Sequence, residues 1–145
     1  MIHSFWIPGQ PIGKARARVF RNRHTGKCHG VTPAKTRAWE DAAILVMRMQ
    51  WRGRAPALSP VYLRIEAIFD PPKKLADVCR LGSGYVPHTA KPDWDNVGKA
   101  VSDALQKAGV IRDDSQVHSG SINKHYACPD SPAPGVYVTI SYQGE

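Results

Sequence analysis

The stretch that most constrains this chain runs from Asp95 to Ala108. Val97, Ala100, Val101, Ala104, Leu105 and Ala108 fall at i, i+3, i+4, i+7, i+8 and i+11, which lays one apolar stripe along an α-helix. Asp95 is placed to cap it and Gly109 to end it in left-handed backbone. Such a helix must bury its stripe against a second layer. Residues Val61 to Phe69 supply a candidate, because they alternate with period two and are rich in β-formers until Asp70-Pro71-Pro72 stops them.

Other elements fit the same two-layer plan. Ser4 to Ile7 reads as a strand ending at Pro8. Ala15 to Phe20 alternates small or apolar residues with basic ones, which suits a strand with one solvated face, and 22–30 reads as a turn and return. Thr32-Pro33 starts a helix, with Thr as cap and Pro at the first helical position. It extends to about Trp51, buries Ala38, Trp39, Ala42, Leu45, Val46 and Met49, and is ended by Gly53 and Pro56. Residues 71–91 lack periodicity and read as a long basic loop. Two strands, Val117 to Tyr126 and Gly135 to Tyr142, close the chain. The expected fold class is α+β. A single domain over 1–145 has a mixed β-sheet packed with two main helices, about 33–51 and 95–108.

Composition removes several classes. The longest apolar run, Ala42 to Met47, is far below the ~20 residues of a membrane span. The N-terminus has no charged region or cleavage site of a signal peptide. Cys28, Cys79 and Cys128 are scattered, which is no disulfide framework and fits a cytoplasmic location without a membrane partner.

Charge is uneven. Residues 1–54 hold 11 Lys/Arg and two acids, giving +9, and the remaining residues hold 9 bases and 10 acids, giving −1. Such asymmetry is an electrostatic footprint for a polyanion. The basic N-terminal segment, about 13–37, contributes Lys14, Arg16, Arg18, Arg21, Arg23, Lys27, Lys35 and Arg37 as DNA-binding candidates, and the 71–91 loop adds Lys73, Lys74 and Lys91. His24, Cys28 and His29 lack a fourth ligand at useful spacing, so no zinc is expected. The other histidines pair with no nucleophile.

The chemistry concentrates in Lys91-Pro-Asp93-Trp94-Asp95-Asn96-Val-Gly-Lys99 and Asp113-Asp114-Ser-Gln. Pro92 disfavours helix before it, so Asp93 is expected in extended backbone, where Asp93 and Asp95 share a face and Trp94 points away. Adjacent carboxylates repel unless a cation lies between them, and hard divalent ions prefer such oxygens. The plain alternatives are a helix cap beside a solvated turn residue for Asp93 and Asp95, and a polar turn for Asp113 and Asp114. Asp114 can join the first pair only if the chain returns along a strand, because the helix carries it roughly 20 Å away. Lys99, one helical turn beyond Asp95, reads as a surface ion pair or as an ammonium for phosphate charge. Asp103 reads as an ion-pair partner.

Lys91 to Val117 resembles the RusA family of Holliday-junction resolvases. The match fixes D-x-D-N, a lysine four residues on, an Asp-Ala-Leu and a terminal D-D-S-Q at set distances. Gly13-Lys14-Ala-Arg16-Ala-Arg18 and Thr32-Pro33-Ala-Lys35-Thr-Arg37-Ala-Trp39-Glu40 resemble the phage-type branch. The resemblance implies a homodimeric, Mg²⁺-dependent endonuclease, with Mn²⁺ as a substitute, that cuts four-way DNA junctions in recombination and repair. It implies Asp93, Asp95 and Asp114 as metal-binding catalytic acids and Lys99 as the catalytic lysine, with Asp113 the lesser candidate. Trp94 stands where an aliphatic residue is usual and is assigned to core packing. The 71–91 loop is longer than in the most compact members. The competing readings are a non-catalytic nucleic-acid-binding protein, which would use Trp6, Tyr62 or Tyr85 for stacking, and a related nuclease for forks or flaps.

Overall fold

The computed structural model describes residues 1–15, 18–82, 85–131 and 133–144. In chain order it runs β1 (Ile2–Pro8), β2 (Arg18–Arg21), β3 (Cys28–Val31), α1 (Ala34–Trp51), β4 (Val61–Phe69), α2 (Ala76–Leu81), α3 (Trp94–Ala108), β5 (Val117–Tyr126) and β6 (Gly135–Tyr142). Single 3₁₀ turns, Lys73–Leu75 and Asp114–Gln116, lead into α2 and β5.

Four strands form one mixed sheet in the order β1-β6-β4-β5, with β4 and β5 parallel and the other pairs antiparallel. The period-two pattern of β4 sends Val61, Leu63, Ile65, Ala67 and Phe69 inward. Phe5 and Ile7 of β1, and Val136, Val138 and Ile140 of β6, join them in one buried cluster. The whole stripe of α3 is buried in that cluster, as are Trp39, Ala43, Met47 and Trp51 of α1. Each large side chain removed from water there contributes about 1.5–3 kcal/mol. The parallel β4–β5 pairing requires a long crossover, and α2 and α3 make it. The expected α+β domain with a mixed sheet and two main helices is therefore present, together with a short third helix.

Several local expectations need correction. α1 begins at Ala34, and Pro33 occupies the cap position without a side-chain cap hydrogen bond. Its buried face is Thr36, Trp39, Ala43, Met47 and Trp51. Ala38, Ala42, Leu45 and Met49 are exposed and Val46 is half-buried. This stretch is apolar on two sides, and the large indoles of Trp39 and Trp51 decide which side meets the sheet. It ends on Arg52 at φ 55°, a left-handed conformation, one residue before Gly53. The cap position of α3 is Asp93, not Asp95, while Gly109 at φ 76° ends α3 as expected. Residues 71–91 are not loop throughout, since α2 lies within them, held by the buried Cys79 and an Asp77–Arg80 pair. Six residues are too few for periodicity to register. β2 starts at Arg18, with Ala15 irregular. Arg16, a DNA-binding candidate, lies outside the described residues.

β2 and β3 form a separate two-stranded hairpin, every residue of which is exposed.

Candidate active site

The N-terminus of α3 borders an open cleft of about 490 Å³ lined by Lys14, Ala15, Asp93, Asp95, Asn96 and Lys99. Asp93 is extended (φ −66°, ψ 153°) and Asp95 lies in the first helical turn. Both nonetheless reach the same cleft, by a route other than the shared face of a strand. A helix N-terminus presents unsatisfied N–H groups and favours negative charge, so it suits both the carboxylates and a phosphate.

A second segment builds the opposite wall. Gly13 lies against the Lys91-Pro92 turn, and a Cβ added there would fall 2.6 Å from Pro92 Cβ and 3.0 Å from Asn96 Cβ. The Lys14 N–H donates to the Asn96 carbonyl at 2.9 Å. The Lys14 ammonium pairs with Asp103 at 2.6 Å and with Glu40 at 3.7 Å. The hydrogen bond to Asp103 raises the Lys14 pKa above its ordinary value, against partial burial, with further help from Glu40. Asp103 is thus an ion-pair partner. Lys14 ties the wall to both helices and is committed to that task.

Lys91 pairs with Asp93 at 2.6 Å, so this DNA-binding candidate also sits at the acids. Lys99 and Asp95 line the cleft with no ion-pair partner among the described residues. The surface Asp95–Lys99 pair offered by the spacing is not formed. Arg18, Arg21, Arg23 and Lys27 are exposed on the β2–β3 hairpin, Lys35 and Arg37 in the first turns of α1, and Lys73 and Lys74 just before α2.

Asp114 does not reach this cleft within one chain. α3 runs back over β5, so a Cβ on Gly98 would meet Ile122 at 2.7 Å. The Trp94 indole N–H donates to the Ile122 carbonyl at 2.8 Å, and Lys124 Nζ donates to the Ala90 carbonyl at 2.9 Å. Ile122 and Lys124 are therefore level with the acids, and Asp114 precedes them by most of a strand, roughly 20 Å at 3.3 Å per residue. The chain does return along a strand, as the joining of Asp114 required, but the strand begins after Asp114. Among the described residues no group of three His, Cys, Asp or Glu side chains is placed to hold a metal. Asp113 takes the polar-turn role: its carboxylate accepts from Ser115 N–H, and Gln116 Oε1 accepts from Asp113 N–H. The bonds from Ser115 hold its carboxyl below the usual range.

Trp94 is 56% exposed, so it does not pack in the core as expected. Placing it in a helix turns the indole toward the outer edge of β5. Lys124 was not legible as a site residue, since nothing in its neighbours along the chain marks it. Burial lowers its pKa, Asp93 opposes that and Lys91 adds to it.

Asp93 and Asp95 form a donor set that fits a divalent cation of the Mg²⁺ kind, which binds through one or two carboxylates and completes its shell with water and substrate phosphate. The three-acid set does not fit within one chain.

Two carboxylates, a lysine and a helix N-terminus border one open cleft, an arrangement suited to work on phosphate esters. Residues 8–141 match the family described as Endodeoxyribonuclease RusA, and the chain belongs to that family. It is also 32% identical over 141 residues to the uncharacterized protein YqaN of Bacillus subtilis (strain 168), covering 94% of this chain and 93% of that relative. No helix among the described residues is long and apolar enough to cross a membrane.

Proposed function

We propose that this protein is a divalent-metal-dependent endonuclease that resolves four-way DNA junctions by paired nicks in recombination and repair. The observation that carries the reading is the meeting of Asp93, Asp95 and Lys99 in one open cleft of a RusA-family chain. Asp93 and Asp95 would hold Mg²⁺, or Mn²⁺ in its place, and the ion when bound would supply polarisation of the scissile phosphoryl group and a lowered pKa for the attacking water. Lys99 stabilises the charge that develops on the phosphoryl oxygens. The N-terminus of α3 orients the phosphate. The hairpin and α1 cations grip backbone phosphates, which gives affinity for DNA shape rather than sequence. The enzyme works as a homodimer, because a four-way junction presents two equivalent strands and a two-fold dimer presents two sites.

The test is cleavage of a synthetic four-way junction, a fork, a flap and a linear duplex, with Mg²⁺ and with EDTA. The junction is nicked in pairs with Mg²⁺ alone. Asp93→Asn and Asp95→Asn bind the junction and lose cleavage by about 10³-fold. Wild-type cleavage unaffected by EDTA, or Asn variants as active as wild type, rejects the assignment.

A further inference from the structure

The β2–β3 hairpin carries more than charge. Residues 18–31 hold Arg18, Arg21, Arg23 and Lys27 and no Asp or Glu. Among these cations three apolar side chains stand in water: Val19 is 68% exposed, Phe20 57% and Val31 43%. A large ring left in water adds little to the fold. The register sorts the side chains by face. Arg18 pairs with Val31, Val19 with Gly30, Phe20 with His29 and Arg21 with Cys28. Directly paired residues share a face, and successive residues alternate. Phe20 and His29 therefore lie side by side on one face, next to Arg18 and Val31. Neither stacks on another ring among the described residues. Both roots of the hairpin are held. The chain enters it from Lys14, which lines the catalytic cleft and is tied to Asn96 and Asp103. Arg18 follows four residues later, and four residues of chain span at most about 14 Å. The chain leaves at Val31, and α1 starts three residues on, at Ala34.

We propose that Phe20, with His29 beside it, is a stacking platform for an unstacked nucleobase at the branch point of a DNA junction. Cations alone grip any phosphate backbone. A ring adds affinity only where a base offers it an open face. Within a continuous duplex each base is covered on both sides by its neighbours, so Phe20 gains nothing there. At a branch point the stack is interrupted. A base there turns onto the Phe20 ring while the hairpin cations hold the phosphates on either side. The short reach from Lys14 places that base close to the phosphate in the cleft. The inference rests on the nuclease reading and deepens it: the cations supply affinity, and the ring makes the protein prefer branched DNA to linear.

The test is binding in EDTA, where cleavage plays no part. The probes are a synthetic four-way junction, a single strand and a linear duplex. Phe20→Ala weakens junction binding about 10- to 100-fold, the worth of one base–aromatic stack, and leaves duplex binding unchanged. Phe20→Leu, apolar but without a ring, behaves like Phe20→Ala, and Phe20→Tyr behaves like the wild type. Val19→Ala, on the opposite face of the hairpin, leaves the preference for the junction intact. A fluorescent adenine analogue at the branch point brightens as the wild type draws it out of the stack, and stays dim with Phe20→Ala. Equal losses on junction and duplex, or Phe20→Leu binding as tightly as wild type, overturn the stacking role. A loss confined to the single strand overturns the branch-point assignment. Full junction binding by Phe20→Ala, while the wild type cleaves junctions, rejects the platform and leaves the nuclease reading standing. A junction preference that depends on Phe20, in a protein that cleaves no DNA, rejects the nuclease reading and leaves the platform in place.

Discussion

α3 and the β2–β3 hairpin are both central to the proposed activity, and the chain holds them in opposite ways. Six residues of α3 are buried in the core, so its first turn presents Asp93 and Asp95 from a fixed support. No residue of the hairpin strands is buried, and an isolated two-stranded hairpin is marginal in water. Chemistry that depends on fractions of an ångström is carried by the packed element. Contact with a phosphate backbone tolerates looser placement and is carried by the exposed one.

Core truncation separates the two most sharply. Leu105→Ala empties a fully buried position of α3 and lowers unfolding free energy by about 2–5 kcal/mol. Phe20→Ala, on a 57% exposed hairpin residue, changes it by less than about 0.5 kcal/mol. Urea melts of both variants check this, and an equal loss would show that the hairpin is packed in solution.

Binding reverses the ranking. Replacing Arg18, Arg21, Arg23 and Lys27 together with Ala leaves the melting curve nearly unchanged. It weakens junction binding and flattens its dependence on salt, by about 0.9 in log–log slope for each phosphate no longer neutralised. Titrations between low and physiological salt measure the slope, and an unchanged slope would clear the hairpin of any role in gripping DNA.

The same contrast explains what the sequence made legible. α3, β4 and β6 carry clear periodicity because each buries one face, and burial is what writes a pattern into a sequence, whereas β5 is buried only at Tyr126 and His125 and carries little. α1 is apolar on two sides, so its existence was readable but its buried face was not. α2 is too short to carry a period. Asp93, Asp95 and Lys99 lie close in sequence and were readable as a unit. Lys14 was readable only as positive charge, since its partners Glu40 and Asp103 lie far along the chain. Lys124 and the outward turn of Trp94 depend on α3 lying over β5, an arrangement that local spacing does not encode. Asp114 could be placed relative to the other acids only once the strand direction was known.

A smaller effect probes the end of α1. Arg52 holds a left-handed conformation at φ 55°, which glycine adopts freely and other residues resist. Arg52→Gly relieves that strain, and the greater freedom of glycine in the unfolded chain takes part of the gain back. The net stabilisation is about 0.5–1 kcal/mol in thermal or urea melts. A loss of stability would mean that the arginine side chain makes an interaction worth more than the strain.

The mildest test concerns acid. His88 is buried, stacked on Phe69 with ring centroids 3.7 Å apart, and its Nδ1 has no hydrogen-bond partner among the described residues. Burial, and then the nearby Lys124, push its pKa below the ordinary 6.5. His3 is lowered as well, by burial and Arg54. The unfolded chain therefore binds more protons than the folded one just below about pH 6.5, so stability is full above that value and declines as pH falls through it. His88→Phe keeps the ring stack and removes the titrating nitrogens. Its melting temperature falls less steeply between about pH 7 and pH 5 than that of the wild type, with the slope owed to His3 remaining. Parallel wild-type and variant curves would show that His88 is not held neutral by the fold.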